Sequence, residues 1–425
     1  PPEISGGVIL SGSGFSAAVG IICAAGAIIV LGGWGRVTAR AYGGGLAALA
    51  GFGIAAGSMV ATAADIIVVL LGLQIMAISA YVLVWSTGTP ASTEAAVKYF
   101  VQGSVATGLL VLGIVILLGL YPGSSSLVAI RQAMGDDTGA HVTTAFVLIA
   151  AAFSFKMGAF PFHSWTLDVL ETAPPHFAAL LAGLPKFAAV VAMFIVIPRS
   201  VFAGLPAELL AGVLGAVAVL SMAFGATGGL LQASYTRMLA YSGVAHAGYA
   251  LAGVAAGATA MTPTAVLAGS YALSAAAVFL AAGAFSAARP GWDGSVRGLA
   301  GIGRERPLLG IAVVVALLSL TGIPLTAGFW GKFLVFGLAL DMGLWWLAAA
   351  GVAASVVSFG YYGAILRALY FESPPPAAAA GEVRGTDGAA EAVAVTLSLA
   401  VLALGVLPLI TGLGPLLETL TFGHR

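Results

Sequence analysis

Lys156-Met157-Gly158-Ala159-Phe160-Pro161 sets a lysine, a glycine and a proline together in a hydrophobic run, and Gly322-Ile323-Pro324 repeats the break with Lys332 close behind. Proline removes a backbone donor and disrupts the turn before it. In lipid, such a break survives only where protein or a wet cavity satisfies the freed groups. The two breaks fall in the fifth and tenth of the apolar segments set out below. A repeat of five helices reverses direction on its second copy, so matching broken helices predict an inverted-repeat transporter core.

The composition around these breaks supports a membrane reading. Of 425 residues, 60% are hydrophobic and only 8% charged, too few to solvate the surface of a soluble domain. Net charge is zero, with no basic patch to suggest nucleic acid. The single cysteine, Cys23, excludes a disulfide framework and a thiolate metal site. No CxxC, HExxH or Walker loop occurs, and Gly12-Ser13-Gly14 lies in a hydrophobic segment, poor context for a dinucleotide fold. The 59 glycines predict close helix packing through small-xxx-small faces. The sequence opens on Pro1, so a start further upstream is expected, and no signal peptide is evident.

Apolar runs long enough for a hydrocarbon core of roughly 30 Å recur between short polar breaks. They predict an all-α integral membrane protein with helices at about 8–32, 44–62, 64–87, 98–120, 142–160, 174–197, 205–230, 238–258, 264–287, 307–338, 344–370 and 390–412. The whole chain reads as one polytopic domain with its core at about 44–370. Pro374-Pro375-Pro376 and the alanine run after it predict a flexible loop over about 373–390. Arg36, Arg40, Lys98, Arg237, Arg289, Arg297, Arg304, Arg306, Arg367 and Arg384 collect on one side, against Arg131, Arg199 and Arg425 on the other. That asymmetry predicts the first side in the cytoplasm and both ends of the sequence outside.

There are four lysines, and only Lys98 falls at a predicted helix boundary. Lys156, Lys186 and Lys332 fall inside spanning segments, two of them in the broken helices. All sixteen acidic residues map to loops or helix ends, with Asp65 and Glu391 at the margin. An intramembrane ammonium costs several kcal/mol unless solvated or paired, so such residues mark ion or proton paths. A row of them, with water and His246, passes protons, and a proton gained at one raises the cost of charging the next. Snorkelling to the interface is an open alternative for Lys156 and Lys332, less so for the central Lys186. His246 also reads as a hydrogen-bonded packing residue, and Tyr361 and Tyr362 read as packing. Asp168 and Glu171 read as cytoplasmic loop residues, with a pathway entrance as the alternative. No catalytic, cofactor-binding or metal-ligating set is expected.

Pro161-Phe162-His163-Ser164-Trp165, continuing through Asp168-Val169 to Glu171 and Ala173-Pro174, resembles the signature of the antiporter-like subunits of respiratory complex I. Arg237-Met238-Leu239-Ala240-Tyr241-Ser242 with His246-Ala247-Gly248-Tyr249 is similar to the same group. So are Leu318-Ser319-Leu320-Thr321-Gly322-Ile323-Pro324 and Ala327-Gly328-Phe329-Trp330-Gly331-Lys332-Phe333. The Asp-Val, His-Ala-Gly-Tyr and Gly-Lys-Phe elements resemble the N-type subunit rather than the L- or M-type. The resemblance covers roughly residues 64 to 370.

The resemblance implies a fourteen-helix, inverted-repeat, proton-translocating subunit of a NADH:quinone oxidoreductase, in the bacterial cytoplasmic membrane beside other membrane subunits. NADH, FMN, iron–sulfur clusters and quinone are then expected only in partner subunits. The family's functional lysines map by motif onto Lys156, Lys186 and Lys332. The family's Leu-Lys-Tyr-Phe appears as Val97-Lys98-Tyr99-Phe100. Its Lys-Arg ahead of the eighth helix is Thr236-Arg237, and its first two helices have no counterpart. Its glutamate in the helix before Lys98 is replaced: the stretch reads Leu73-Gln74-Ile75-Met76-Ala77-Ile78, so Gln74 offers Lys156 no anion. A multisubunit cation/proton antiporter or a membrane hydrogenase shares this core and is the second reading. A structural subunit that has lost pumping is the third; Gln74 favours it and the three costly lysines oppose it.

Overall fold

The computed structural model describes residues 3–5, 9–11, 13–33, 42–197, 200–373 and 387–410. Strands β1 (Glu3–Ser5) and β2 (Ile9–Ser11) pair antiparallel ahead of the helices. The helices then run α1 (Ser13–Gly32), α2 (Gly43–Ala61), α3 (Ile66–Trp85), α4 (Pro90–Leu120), α5 (Leu127–Met134) and α6 (Ala140–Met157). They continue with α7 (Ser164–Thr172), α8 (Pro175–Val196), α9 (Ala207–Leu230), α10 (Tyr235–Ala255) and α11 (Met261–Ala288). Last come α12 (Ile302–Glu305), α13 (Pro307–Thr321), α14 (Ala327–Asp341), α15 (Trp345–Phe371) and α16 (Gly388–Ile410). Among the described residues, nine helical stretches are long and apolar enough to cross a membrane. The all-α membrane class expected from composition is the class observed.

Several predicted boundaries are corrected. The first helix begins at Ser13, not near residue 8, because the strand pair occupies that stretch. The helix expected from 98 starts at Pro90: Thr89 accepts the Ser92 N–H (3.1 Å) and proline takes the first turn. Lys98 therefore lies inside α4 with Glu94 one turn before it. The stretch 121–141 contains the amphipathic helix α5. The segment 307–338 is two helices, α13 and α14, separated at 322–326, and 142–160 stops at Met157. Asp168 and Glu171 lie on a helix, α7, rather than in a loop; nine residues between two breaks are too few for periodicity to reveal it. Residues 374–386 of the predicted loop, and Arg36, Arg40, Arg199, Arg384 and Arg425, lie outside the described residues.

α8 is the axis of the bundle. From His176 through Val196 every residue is buried, and the helix packs on α1, α2, α6 and α11. Such a helix must be apolar all round, which makes a lysine in its middle the more conspicuous. α9 and α10 approach backbone to backbone. A methyl on Gly248 would lie 2.6 Å from the Ala218 carbonyl oxygen, and one on Gly225 would meet the backbone of Ala245.

The two ends of the bundle differ in charge. At one, Tyr235 and Val296 donate to Gly294 and Ala233 (2.9 Å each), drawing the 289–301 loop onto the start of α10. Arg289 donates to Gly298 and Ala300 (2.8 Å each) and pairs with Glu305, while Arg306 faces Glu391 and Arg367 faces Glu372. At the other, Ile66 and Leu127 donate to Ser125 and Ala64, and the Asp65 carboxylate accepts from the Ser125 hydroxyl (2.6 Å). Among the described residues Arg131 is the basic residue near this second end.

Candidate functional site

Both breaks are built by one backbone device. α6 ends on Gly158, whose φ of 69° is left-handed; Gly158 donates to Phe155 and Ala159 to Ser154, both at 2.9 Å. α13 ends on Gly322 at φ 89°, which donates to Ser319, while Ile323 donates to Leu318, both at 3.0 Å. This C-terminal cap satisfies some of the last carbonyls of a helix and leaves others facing the break. Those carbonyls carry the negative end of the helix dipole, about half an elementary charge. Each break thus presents a fixed, partly negative patch inside the protein.

Lysines occupy the patches. Lys186, which follows Pro185 in the middle of α8, donates its ammonium to the Met157 carbonyl at the end of α6. Lys332, from α14, donates to Leu320 (3.0 Å), Thr321 (2.9 Å) and the Ser355 hydroxyl (3.0 Å). Ser355 in turn donates to the Tyr249 hydroxyl (3.2 Å), and the ammonium lies 4.4 Å from the Tyr249 ring centroid. His246 on α10 places Nε2 3.1 Å from the same Leu320 oxygen. Since a carbonyl only accepts, Nε2 carries the hydrogen, and in the neutral ring Nδ1 is free to accept.

Lys156, at the end of α6, reaches the Leu73 carbonyl on α3 at 3.4 Å. Gln74, the residue after Leu73, accepts from Thr107 of α4 (2.8 Å). All three lysines are buried, with 4–5% exposure, and end on interior carbonyls; none snorkels. His246 is likewise buried, with Nε2 on the Leu320 oxygen that Lys332 also contacts. Among the described residues no carboxylate pairs with any of the three ammonium groups.

Asp168 and Glu171 lie apart from this interior row. Lys98 bridges Glu94 (2.6 Å) and Asp168 (3.3 Å), and Arg237 contacts Glu171 (2.7 Å) and Asp168 (3.8 Å). The network ties α7 to α4 and α10 at a partly exposed surface on the same side as Lys98 and Arg237. Behind it, Trp165 stacks on Tyr99 (4.2 Å) and donates to the Phe155 carbonyl (3.0 Å), which seats α7 against the first break.

Sequence reasoning missed several polar neighbours. Ser355 and Tyr249 hold Lys332. Three buried polar atoms near the lysines have no hydrogen-bond partner among the described residues: Thr166 Oγ1, His246 Nδ1 and the Tyr271 hydroxyl. The Tyr271 ring lies 4.7 Å from that of His246. Beside Lys332 a cavity of about 530 Å³, lined by Ser355, Phe329, Phe333 and Phe359, opens towards the apolar exterior. No sequence signal distinguishes such hydroxyls from packing residues in an alanine-rich helix. No group of three or more His, Cys, Asp or Glu converges as a metal site among the described residues.

Comparison with known proteins places this arrangement in context. The family described as "NADH:quinone oxidoreductase/Mrp antiporter, TM" matches residues 63–358. A NADH-quinone oxidoreductase subunit N of Trichlorobacter lovleyi is 38% identical over 327 residues, covering 74% of this chain and 65% of that protein. One of Salinibacter ruber is 36% identical over 371 residues, covering 85% and 72%. The chain thus spans about two thirds of the length of the curated relatives it matches. Among solved structures, a chain of respiratory complex I from Thermus thermophilus with bound aureothin superposes with a TM-score of 0.79 at 27% identity, covering 96% of this chain and 87% of that one. A chain of the Mrp complex from Dietzia sp. has a TM-score of 0.81 at 23% identity, covering 95% and 82%, a likeness of fold.

Proposed function

Because the chain belongs to the NADH:quinone oxidoreductase/Mrp antiporter family, we propose that it is an N-type, proton-translocating membrane subunit of a NADH:quinone oxidoreductase. Its redox chemistry lies in partner subunits, which hold NADH, FMN, iron–sulfur clusters and quinone. It sits in the cytoplasmic membrane of a bacterium beside other membrane subunits, with the basic end of the bundle facing the cytoplasm. The start of α1 and the end of α16 then lie outside. The two broken helices belong to inverted five-helix repeats.

The observation that carries the reading is that buried lysines occupy the carbonyl ends of two interrupted helices with no carboxylate beside them among the described residues. Removing an ammonium from water costs several kcal/mol, and a helix C-terminus returns at most about 2 kcal/mol. The shortfall favours groups that take up and give back a proton over groups charged permanently. Protons pass from Lys156 to Lys186, then by way of His246 to Lys332. His246 and Lys332 share one carbonyl oxygen, so two charges there would be roughly 6 Å apart or closer. At an effective dielectric near 20 that repulsion is about 3 kcal/mol. A proton arriving at His246 therefore pushes the one on Lys332 onward. Asp168 and Glu171, with Lys98 and Arg237, mark the surface from which protons reach the first break.

Gln74 favours a second reading, a subunit that has lost pumping and serves assembly. A host complex of the cation/proton antiporter or membrane hydrogenase kind is the other alternative, supported by the shared fold of the Mrp chain. Two measurements separate these. Subunits co-purifying with the chain identify the host. In the assembled complex, Lys186→Ala is expected to depress proton pumping with assembly intact; unchanged pumping sinks the relay.

A further inference from the structure

Lys186 has three N–H donors, and the only protein acceptor it meets among the described residues is the Met157 carbonyl. Two buried hydroxyls with no partner of their own flank it. On one side, a methyl on Gly158 would sit against the Thr166 hydroxyl and 3.0 Å from Lys186 Nζ. On the other, a methyl on Gly243 would lie 2.6 Å from the Tyr271 hydroxyl, 3.4 Å from Lys186 Cε and 3.6 Å from its Nζ. Each hydroxyl thus lies against the same glycine as the ammonium, with no direct hydrogen bond between them among the described residues. Thr166 is 1% exposed and Tyr271 3%. A buried hydroxyl without a partner costs about 1–3 kcal/mol, so two of them around one under-satisfied ammonium form an incomplete hydrogen-bonded set. One bridging water to each hydroxyl would satisfy both it and the ammonium.

We propose that Thr166 and Tyr271 are the proton-path residues on either side of Lys186, each joined to its ammonium through one water molecule. Thr166 serves the side of the first break and Lys156. Tyr271 serves the side of His246, whose ring it approaches to 4.7 Å and whose Nδ1 is free to accept. In each transfer one N–H or O–H bond forms as another breaks: Lys186 gives a proton to the water, the water gives one to the tyrosyl oxygen, and the tyrosyl hydrogen passes by way of a second water to His246 Nδ1. The hydroxyls end as they began, so no oxidant or other reactant is needed. Gly243 has a matching task, because a side chain there would press on both the Tyr271 hydroxyl and Lys186.

This assignment rests on the proposed proton path, so its test runs beside Lys186→Ala. In proteoliposomes containing the whole complex, Tyr271→Phe and Thr166→Val are each expected to slow pumping about tenfold and to raise the H2O/D2O rate ratio. Thr166→Ser, which keeps the hydroxyl, should restore both to near the wild-type values. Gly243→Ala, which removes no polar group, should slow pumping similarly, and it decides the matter should Tyr271→Phe fail to assemble. Loss of pumping in Lys186→Ala alongside wild-type rates in Tyr271→Phe, Thr166→Val and Gly243→Ala overturns the assignment alone. Wild-type pumping in Lys186→Ala overturns the path itself.

Discussion

The two broken helices share a backbone cap and differ in what fills it. At the first break the cation comes from a different helix: Lys186 of α8 reaches across to a single carbonyl, Met157. At the second it comes from the far half of the same broken helix: Lys332 of α14 turns back onto Leu320 and Thr321 and adds Ser355. Lys156 and Leu320 hold the same place, two residues before the capping glycine, so the first break carries an extra lysine where the second offers a carbonyl to His246. One device for baring carbonyls within a bundle thus serves a sparsely held cation and a well-held one. The sparse site suits transfer and the well-held site suits storage.

The largest expected break in this comparison comes from the capping glycines. A left-handed φ costs a non-glycine residue about 1–2 kcal/mol, and both positions pay that. At Gly158 the added methyl also strikes the Thr166 hydroxyl and crowds Lys186, whereas at Gly322 its nearest neighbour is the flexible Lys332 Cδ at 2.9 Å. Gly158→Ala should therefore destabilise by about 2–4 kcal/mol and Gly322→Ala by about 1–2 kcal/mol. Thermal unfolding of the purified complex checks the order, and equal losses would mean the two caps are equivalent.

A smaller effect is expected from Ser355→Ala, which leaves Lys332 two carbonyls. Losing one hydrogen bond to a charged group costs about 1.5 kcal/mol, so pumping should change about tenfold or less while Lys186-dependent steps are untouched. Gln74→Glu sharpens the comparison from the other side. It supplies a carboxylate one residue from the Leu73 carbonyl that Lys156 reaches, and should change the proton-to-electron ratio by up to about twofold, given the modest worth of such pairs. An unchanged ratio would mean that α3 takes no part. The smallest effect belongs to Arg237→Gln at the exposed ion-pair network: under about 1 kcal/mol of stability, shrinking further in high salt.

What the sequence revealed followed from cost. Lysines in apolar runs and Gly–Pro breaks are expensive in lipid, so Lys156, Lys186, Lys332 and both interruptions are legible in the sequence. Residues that are cheap wherever they fall stayed hidden. Ser355, Thr166 and Tyr271 look like ordinary packing residues, and apart from Ser355 the acceptors of the three ammonium groups are backbone carbonyls that every residue possesses. α7 is not legible because nine residues between a proline break and Pro174 carry no measurable period. α4 begins ahead of its apolar run because Thr89 and Pro90 together make a sound helix start that apolar length alone does not register.

The central claim is that both breaks lie on one proton path. Proton translocation per electron in proteoliposomes of the assembled complex, compared for wild type, Lys186→Gln and Lys332→Gln, tests it most directly. The account predicts that each substitution alone removes most of this subunit's share of the translocated protons. Full translocation by Lys186→Gln alongside its loss in Lys332→Gln would contradict it, leaving the first break outside the path.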